Sequence, residues 1–169
     1  MPTGDDERNA DPTLAVLRGP LRLDDAFVHV MPASDAGLDL DEAAAAYATE
    51  LGDTVFDVCL LGMGPDGHVA SLFPGHPDLA TPGTVIPVRN SPKPPPERIS
   101  VTLDVINRSR QVWFCVSGAE KAEAVARGVL GTGPEPVPAA LASGTEATVW
   151  LVDRAAVADL PEDLEVVGG

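Results

Sequence analysis

The chain has 169 residues, enough for one domain or a large piece of one, and 26 Asp+Glu against 11 Lys+Arg give a net charge of −15 and a pI near 4.3. That balance excludes a binder of nucleic-acid backbone, which needs a basic stripe, and docking on an anionic membrane surface. Apolar residues make up 44 %, which supports a core, and no apolar run approaches the ~20 residues of a membrane span. The opening MPTGDDERNADP is acidic and polar, unlike a signal or transit peptide. Cys59 and Cys115 stand in apolar runs and read as buried thiols of a reducing compartment. A cytoplasmic protein is expected.

Sixteen glycines and seventeen prolines punctuate the chain into short elements. Residues 1–12 read as loop, and 13–17 as a short helix stopped by Gly19-Pro20. AFVHV at 26–30 reads as a strand. A helix begins at Asp39, capped by Asp39 or Asp41, with Leu40, Ala44, Tyr47, Ala48 and Leu51 on one face, and ends at Gly52. VFDVCLL at 55–61 is almost wholly apolar and predicts a central strand covered on both faces. A glycine-rich loop follows at 62–67, then the first turns of a helix at 68–73, stopped by Pro74-Gly75. Residues 84–88 predict a strand. SPKPPP at 91–96 predicts extended chain, because each proline pushes its predecessor out of the α region. Strand 99–103 and a short helix near 104–108 come next. Strand 111–116, helix 119–130 ended by Gly131, one helical turn at 138–142, strand 147–152 and a last short helix capped by Asp153 complete the chain. Trp113 and Trp150, both in strands, read as core. Strands alternating with helices predict a parallel α/β sheet, although four or five strands are few for a complete doubly wound domain.

LLGMGPDGHVASLFP carries the most chemical information. A buried strand runs into Gly62, Gly64 and Gly67, and then into the expected helix. Ligands of parallel α/β sheets bind at this end of the strands, and a helix N-terminus there favours an anion. His68 stands at the turn. On pattern alone the segment reads equally as a surface turn with an incidental histidine. A dinucleotide site fits poorly, since the loop lies in mid-chain and no acidic residue ends the following strand. His29 reads as a packed or edge histidine and His76 as a solvent-exposed loop residue. Three histidines and two cysteines show no metal-ligand spacing.

GMGPDGHVASLFPG resembles the signature of the 6-phosphogluconolactonases, members of the glucosamine-6-phosphate deaminase/isomerase superfamily. The resemblance continues through SPKPPPERISVTL, VWFCVSGAEKAEAV and PAALASGTEATVWLVD, in the family's order. It implies a Rossmann-like, mostly parallel sheet flanked by helices, one domain over 1–169, and hydrolysis of 6-phospho-D-glucono-1,5-lactone in the oxidative pentose phosphate pathway. It also implies that His68 is the acid–base and that Lys93 and Arg98 face the substrate, with Lys121 supporting the same pocket. No metal or organic cofactor is implied. One histidine near neutral pKa can deprotonate water and then protonate the leaving ring oxygen, so no covalent nucleophile is needed. Ser71 lacks a GxSxG context. Backbone N–H groups between Gly64 and His68 are candidates for holding the oxyanion, and Asp66 either orients His68 or caps the loop.

Family members begin with a strand, a helix, a Gly-Gly-Ser/Thr-Pro loop and a Gly-Asp-Glu-Arg string whose arginine helps bind phosphate. Neither precedes the first motif here, and Asp6-Glu7-Arg8-Asn9 aligns with the segment just after that string. The chain is therefore expected to be N-terminally truncated, corresponding to the C-terminal two-thirds of the domain, and to self-associate through an uncovered sheet face. Two other functions stay open. A sugar-phosphate isomerase/deaminase would carry a histidine followed by Asn-Glu-Pro, where this chain has VASLFPG. A truncated, non-catalytic protein would only bind a sugar phosphate or a partner.

Overall fold

The computed structural model describes residues 1–164. Its elements are α1 (Ala10–Leu21), α2 (Leu40–Leu51), β1 (Val58–Leu61), β2 (Val85–Val88), β3 (Arg98–Val101), α3 (Leu103–Arg108), β4 (Gln111–Val116), α4 (Ala122–Leu130), α5 (Pro138–Leu141) and β5 (Ala147–Val152). β1, β4 and β5 form a parallel sheet in the order β1-β4-β5, while β2 and β3 pair antiparallel in a sheet of their own. The expected α/β class with a parallel sheet is borne out.

Strand register explains where the core sits. Leu61, Phe114 and Trp150 are direct cross-strand neighbours, as are Cys59, Val112 and Thr148. Alternation puts this set on one face, where Leu61, Val112, Phe114 and Val116 are buried with Ile106 of α3, Val125 of α4 and Ala139 of α5. Trp150 stacks on Phe114 with ring centroids 4.0 Å apart. The alternate residues Val58, Leu60, Trp113, Cys115, Val149 and Leu151 share the opposite face. It is open: Leu60 is 63 % exposed, Leu151 47 % and Val58 41 %. β1 is therefore an edge strand half in water and not the doubly covered central strand that VFDVCLL predicts. Cys115 is exposed, Cys59 is half-buried, and both tryptophans are only partly buried.

α2 forms as expected. Asp39 accepts from the Glu42 N–H at 2.8 Å while the Glu42 carboxylate takes the Asp39 N–H at 3.0 Å, a complete capping box. The helix packs on the β2–β3 hairpin. α1 differs: it starts at Ala10 and runs through Gly19 and Pro20. Pro20 falls in the last turn, where Arg22 at φ 49° closes the helix by donating to the Gly19 carbonyl. Residues 26–30 are not a strand. Asp24 accepts from the Ala26 N–H at 3.0 Å and turns the chain into a 3-10 helix, Asp25–Phe27, and Val28–Val30 meet no ladder partner. After β5, Asp153 accepts from the Ala156 N–H at 2.8 Å, but among the described residues only turns follow, in place of the expected helix.

Candidate functional site

β1 delivers the chain into Gly62, and the loop then folds on itself. The Gly64 N–H donates to the His68 carbonyl at 3.0 Å, and the Gly67 N–H to the Gly64 carbonyl at 2.9 Å. Two glycines are sterically required. A Cβ on Gly64 would collide with the His68 ring and the Asp66 carboxylate, and one on Gly67, at φ +82°, would sit 2.6 Å from Val137 Cβ. Gly62 has free space around it. The loop is pinned from two sides. The Ala139 N–H of α5 donates to the Gly67 carbonyl at 3.1 Å, and Lys121 Nζ donates to the Met63 carbonyl at 2.8 Å.

No helix follows His68. Val69 and Leu72 form an isolated bridge around a tight turn in which Ala70 has φ 50°, a conformation no α-helix contains. The expected anion site at a helix N-terminus is therefore absent here. The Gly64 and Gly67 N–H groups are engaged inside the loop and do not point at a ligand, so the expected backbone oxyanion cradle is not formed by these two. The turn instead buries Val69, Leu72 and Phe73, and the Ser71 N–H donates to Ser100 Oγ of β3 at 3.1 Å.

His68 Nδ1 lies 2.6 Å from Asp66 Oδ1, with the imidazole side chain 16 % exposed. A carboxylate accepting at Nδ1 fixes the tautomer that leaves Nε2 as the lone-pair nitrogen. Lys93 Nζ reaches the same Asp66 oxygen at 3.4 Å. Burial pushes the His68 pKa down; the Asp66 hydrogen bond and charge pull it up, Lys93 and Arg98 oppose them, and the net shift is downward. Burial alone would raise the Asp66 carboxyl, but the His68 hydrogen bond and charge, with Lys93, hold it below the usual range. The pair rests as carboxylate and neutral imidazole.

Arg98 has a second occupation that its residue type does not reveal. Its Nε donates to the Pro95 carbonyl at 3.1 Å, and its Nη2 to those of Lys93 and Pro94 at 3.0 and 2.7 Å. Together with the Ser91 N–H bond to the Pro96 carbonyl at 3.0 Å, this curls residues 91–96 into a closed loop in place of the expected extended segment. Nη1 donates to none of these carbonyls. Burial lowers the Arg98 pKa from its ordinary value. His68, Asp66, Lys93 and Arg98 thus converge from the glycine loop, the proline loop and the start of β3, while Lys121 braces the glycine loop through a carbonyl. A cleft of about 990 Å³ is lined by Arg98, Pro95 and Ser71 together with Arg8 and Asn9, and not by His68, Asp66 or Lys93. His76 is not an exposed bystander: half-buried, it caps the turn Pro77–Ala80 and meets the Arg89 carbonyl at 3.1 Å. Phe73 and Val137, which shape the site, carried no polar signal by which sequence reasoning finds a functional residue. Among the described residues no cluster of His, Cys, Asp or Glu is arranged to hold a metal ion, and no helix is long and apolar enough to cross a membrane.

Residues 1–150 match the family described as glucosamine-6-phosphate isomerases/6-phosphogluconolactonase. The chain belongs to this family. Among its relatives, the 6-phosphogluconolactonase of Streptomyces coelicolor is 48 % identical over 97 % of this chain and 68 % of its own length. That of Mycobacterium tuberculosis is 49 % identical over 95 % of this chain and 70 % of its own. The crystal structure of 6-phosphogluconolactonase from Thermotoga maritima superimposes with a TM-score of 0.78 at 31 % identity, covering 90 % of this chain and 67 % of that one. Family membership accords with the motifs being in order along the chain.

Proposed function

We propose that this protein hydrolyses 6-phospho-D-glucono-1,5-lactone to 6-phospho-D-gluconate, the second step of the oxidative pentose phosphate pathway. The observation that carries the reading is the half-buried His68–Asp66 pair at the carboxyl end of β1, in a chain whose relatives are named for this reaction. Water adds to the lactone carbonyl carbon as His68 Nε2 takes one of its protons, and negative charge develops on the carbonyl oxygen. Collapse of this intermediate breaks the bond to the ring oxygen, which receives the proton from Nε2. One water is consumed and the imidazole ends as it began. The resulting carboxylic acid releases its proton to solvent. Asp66 holds the ring in the required tautomer and stabilises the transient imidazolium. Lys93 and the Nη1 of Arg98 supply positive charge to the substrate's oxyanion and phosphate in a chain of net charge −15.

The test is an assay of 6-phosphogluconate release, with spontaneous lactone opening subtracted and glucosamine 6-phosphate run in parallel. The reading expects turnover of the lactone. Ammonia release from glucosamine 6-phosphate without lactone turnover would replace it with the deaminase. The protein acts in the cytoplasm on this reading, with the sugar-phosphate lactone as its small-molecule partner, and with neither nucleic acid nor membrane.

We also propose that the open face of the sheet takes a second copy of the chain. The patch of Val58, Leu60, Trp113, Cys115, Val149 and Leu151 is uncharged, so two copies meet there without the repulsion that the rest of an acidic surface imposes. Leu60→Glu introduces a charge at its most exposed residue and should shift the sizing profile from dimer to monomer. A wild-type chain that is monomeric at high micromolar concentration would refute this.

A further inference from the structure

Phe73 is fully buried, at 1 % exposure, beside both His68 and Arg98. Its ring centroid lies 4.6 Å from that of His68, tilted by 38°. The Arg98 guanidinium carbon lies over the same ring, 5.5 Å from its centroid. We infer that Phe73 is a positioning residue of this site: its ring dries one side of the His68 imidazole and seats Arg98 at a set distance from it. Each half follows from the chemistry of an aromatic ring. Its apolar body replaces the water that an imidazolium would need, which favours the neutral base. Its electron-rich face attracts a guanidinium and holds the group's plane, so that Arg98 is both a staple of the proline loop and a standing cation near the base.

Every charged group facing the imidazole enters this balance. Asp66 on its own loop favours the proton; Lys93 and Arg98, from the proline loop and β3, oppose it; Lys121 reaches the loop at the Met63 carbonyl. Phe73 adds desolvation and fixes the Arg98 contribution. Without it, water reaches the ring and Arg98 is free to swing away, and both changes favour the imidazolium.

The inference deepens the reading of His68 as the base, but its test needs no turnover. The chain has three histidines, so the imidazole signals can be followed one by one against pH by NMR, with His68→Gln identifying the one that matters. In the wild-type protein His68 should titrate below the ordinary imidazole value. In Phe73→Ala the His68 midpoint should rise, and in Phe73→Leu, which keeps most of the apolar volume, it should rise by less. A purely structural Phe73 would leave the His68 midpoint unmoved in every variant that retains native dispersion, and that result overturns the inference. Should Phe73→Ala fail to fold, Phe73→Leu decides: a His68 midpoint unmoved in it also overturns the inference. Absence of lactone hydrolysis with these shifts present would refute the assigned reaction and leave the role of Phe73 standing.

Discussion

Gly67→Ala isolates the link between loop geometry and the candidate base. Gly67 sits at φ +82°, and an added Cβ would lie 2.6 Å from Cβ and 2.8 Å from Cγ1 of Val137, which is fully buried. Two costs follow. A left-handed conformation with a Cβ costs roughly 1–2 kcal/mol, and overpacking a close-packed contact costs typically about 1–3 kcal/mol. Their sum, about 2–5 kcal/mol, is a large share of the roughly 5–15 kcal/mol that holds a domain together. Denaturant unfolding should show the loss as a lower midpoint with little change in slope. The two parts are separable. Val137→Gly removes the Cβ at 2.6 Å as well as the two methyl groups, so in the double variant the packing part should cancel while the backbone part remains, leaving a coupling of about 1–3 kcal/mol. Gly67→Ala at wild-type stability would show that neither φ nor Val137 constrains the loop, and single losses that simply add would show that Val137 does not.

Lys93→Met should lower the rate on the phosphorylated lactone by raising KM, with a smaller loss on unphosphorylated gluconolactone; equal losses on both would place Lys93 at the lactone end or in the fold. The lowered His68 and Asp66 pKa values make acid destabilising. For each group the unfolded chain binds the proton first, so stability falls as pH drops from about 6.5 towards the folded His68 midpoint, and again below the ordinary carboxylate value of about 3.8. Urea unfolding of wild type and His68→Gln across this range checks the sign, because the upper step should vanish in the variant.

Several elements were legible because one local signal decided them. QVWFCV and ATVWLV became β4 and β5 over the residues expected, since apolar β-branched runs bounded by turns have few other folds. The capping box of α2 was written in Asp39 and Glu42. AFVHV carries a comparable pattern, but a strand needs a neighbour to bond with, and the pattern does not say whether one is in reach. The segment after His68 failed for the opposite reason: its apolar residues have helical spacing, yet Ala70 at φ 50° and the bridge of Val69 to Leu72 turn them inward as a plug under the site. Of the site, His68, Asp66 and Lys93 were legible as chemistry, but Arg98 was half-legible. Its charge is in the sequence, while the three carbonyls that take its donors are a property of the folded loop.

In the proposed reaction His68 Nε2 is the base for water attack on the lactone. This role is tested most directly by the rate of 6-phosphogluconate release from His68→Gln beside wild type, at a pH where the imidazole is neutral, with the spontaneous rate subtracted. Glutamine is uncharged and polar and cannot take the proton. A fall in kcat of about two to four orders of magnitude is expected, with KM little changed. A variant that keeps most of the wild-type kcat would contradict this role and make the His68–Asp66 pair a structural feature of the loop.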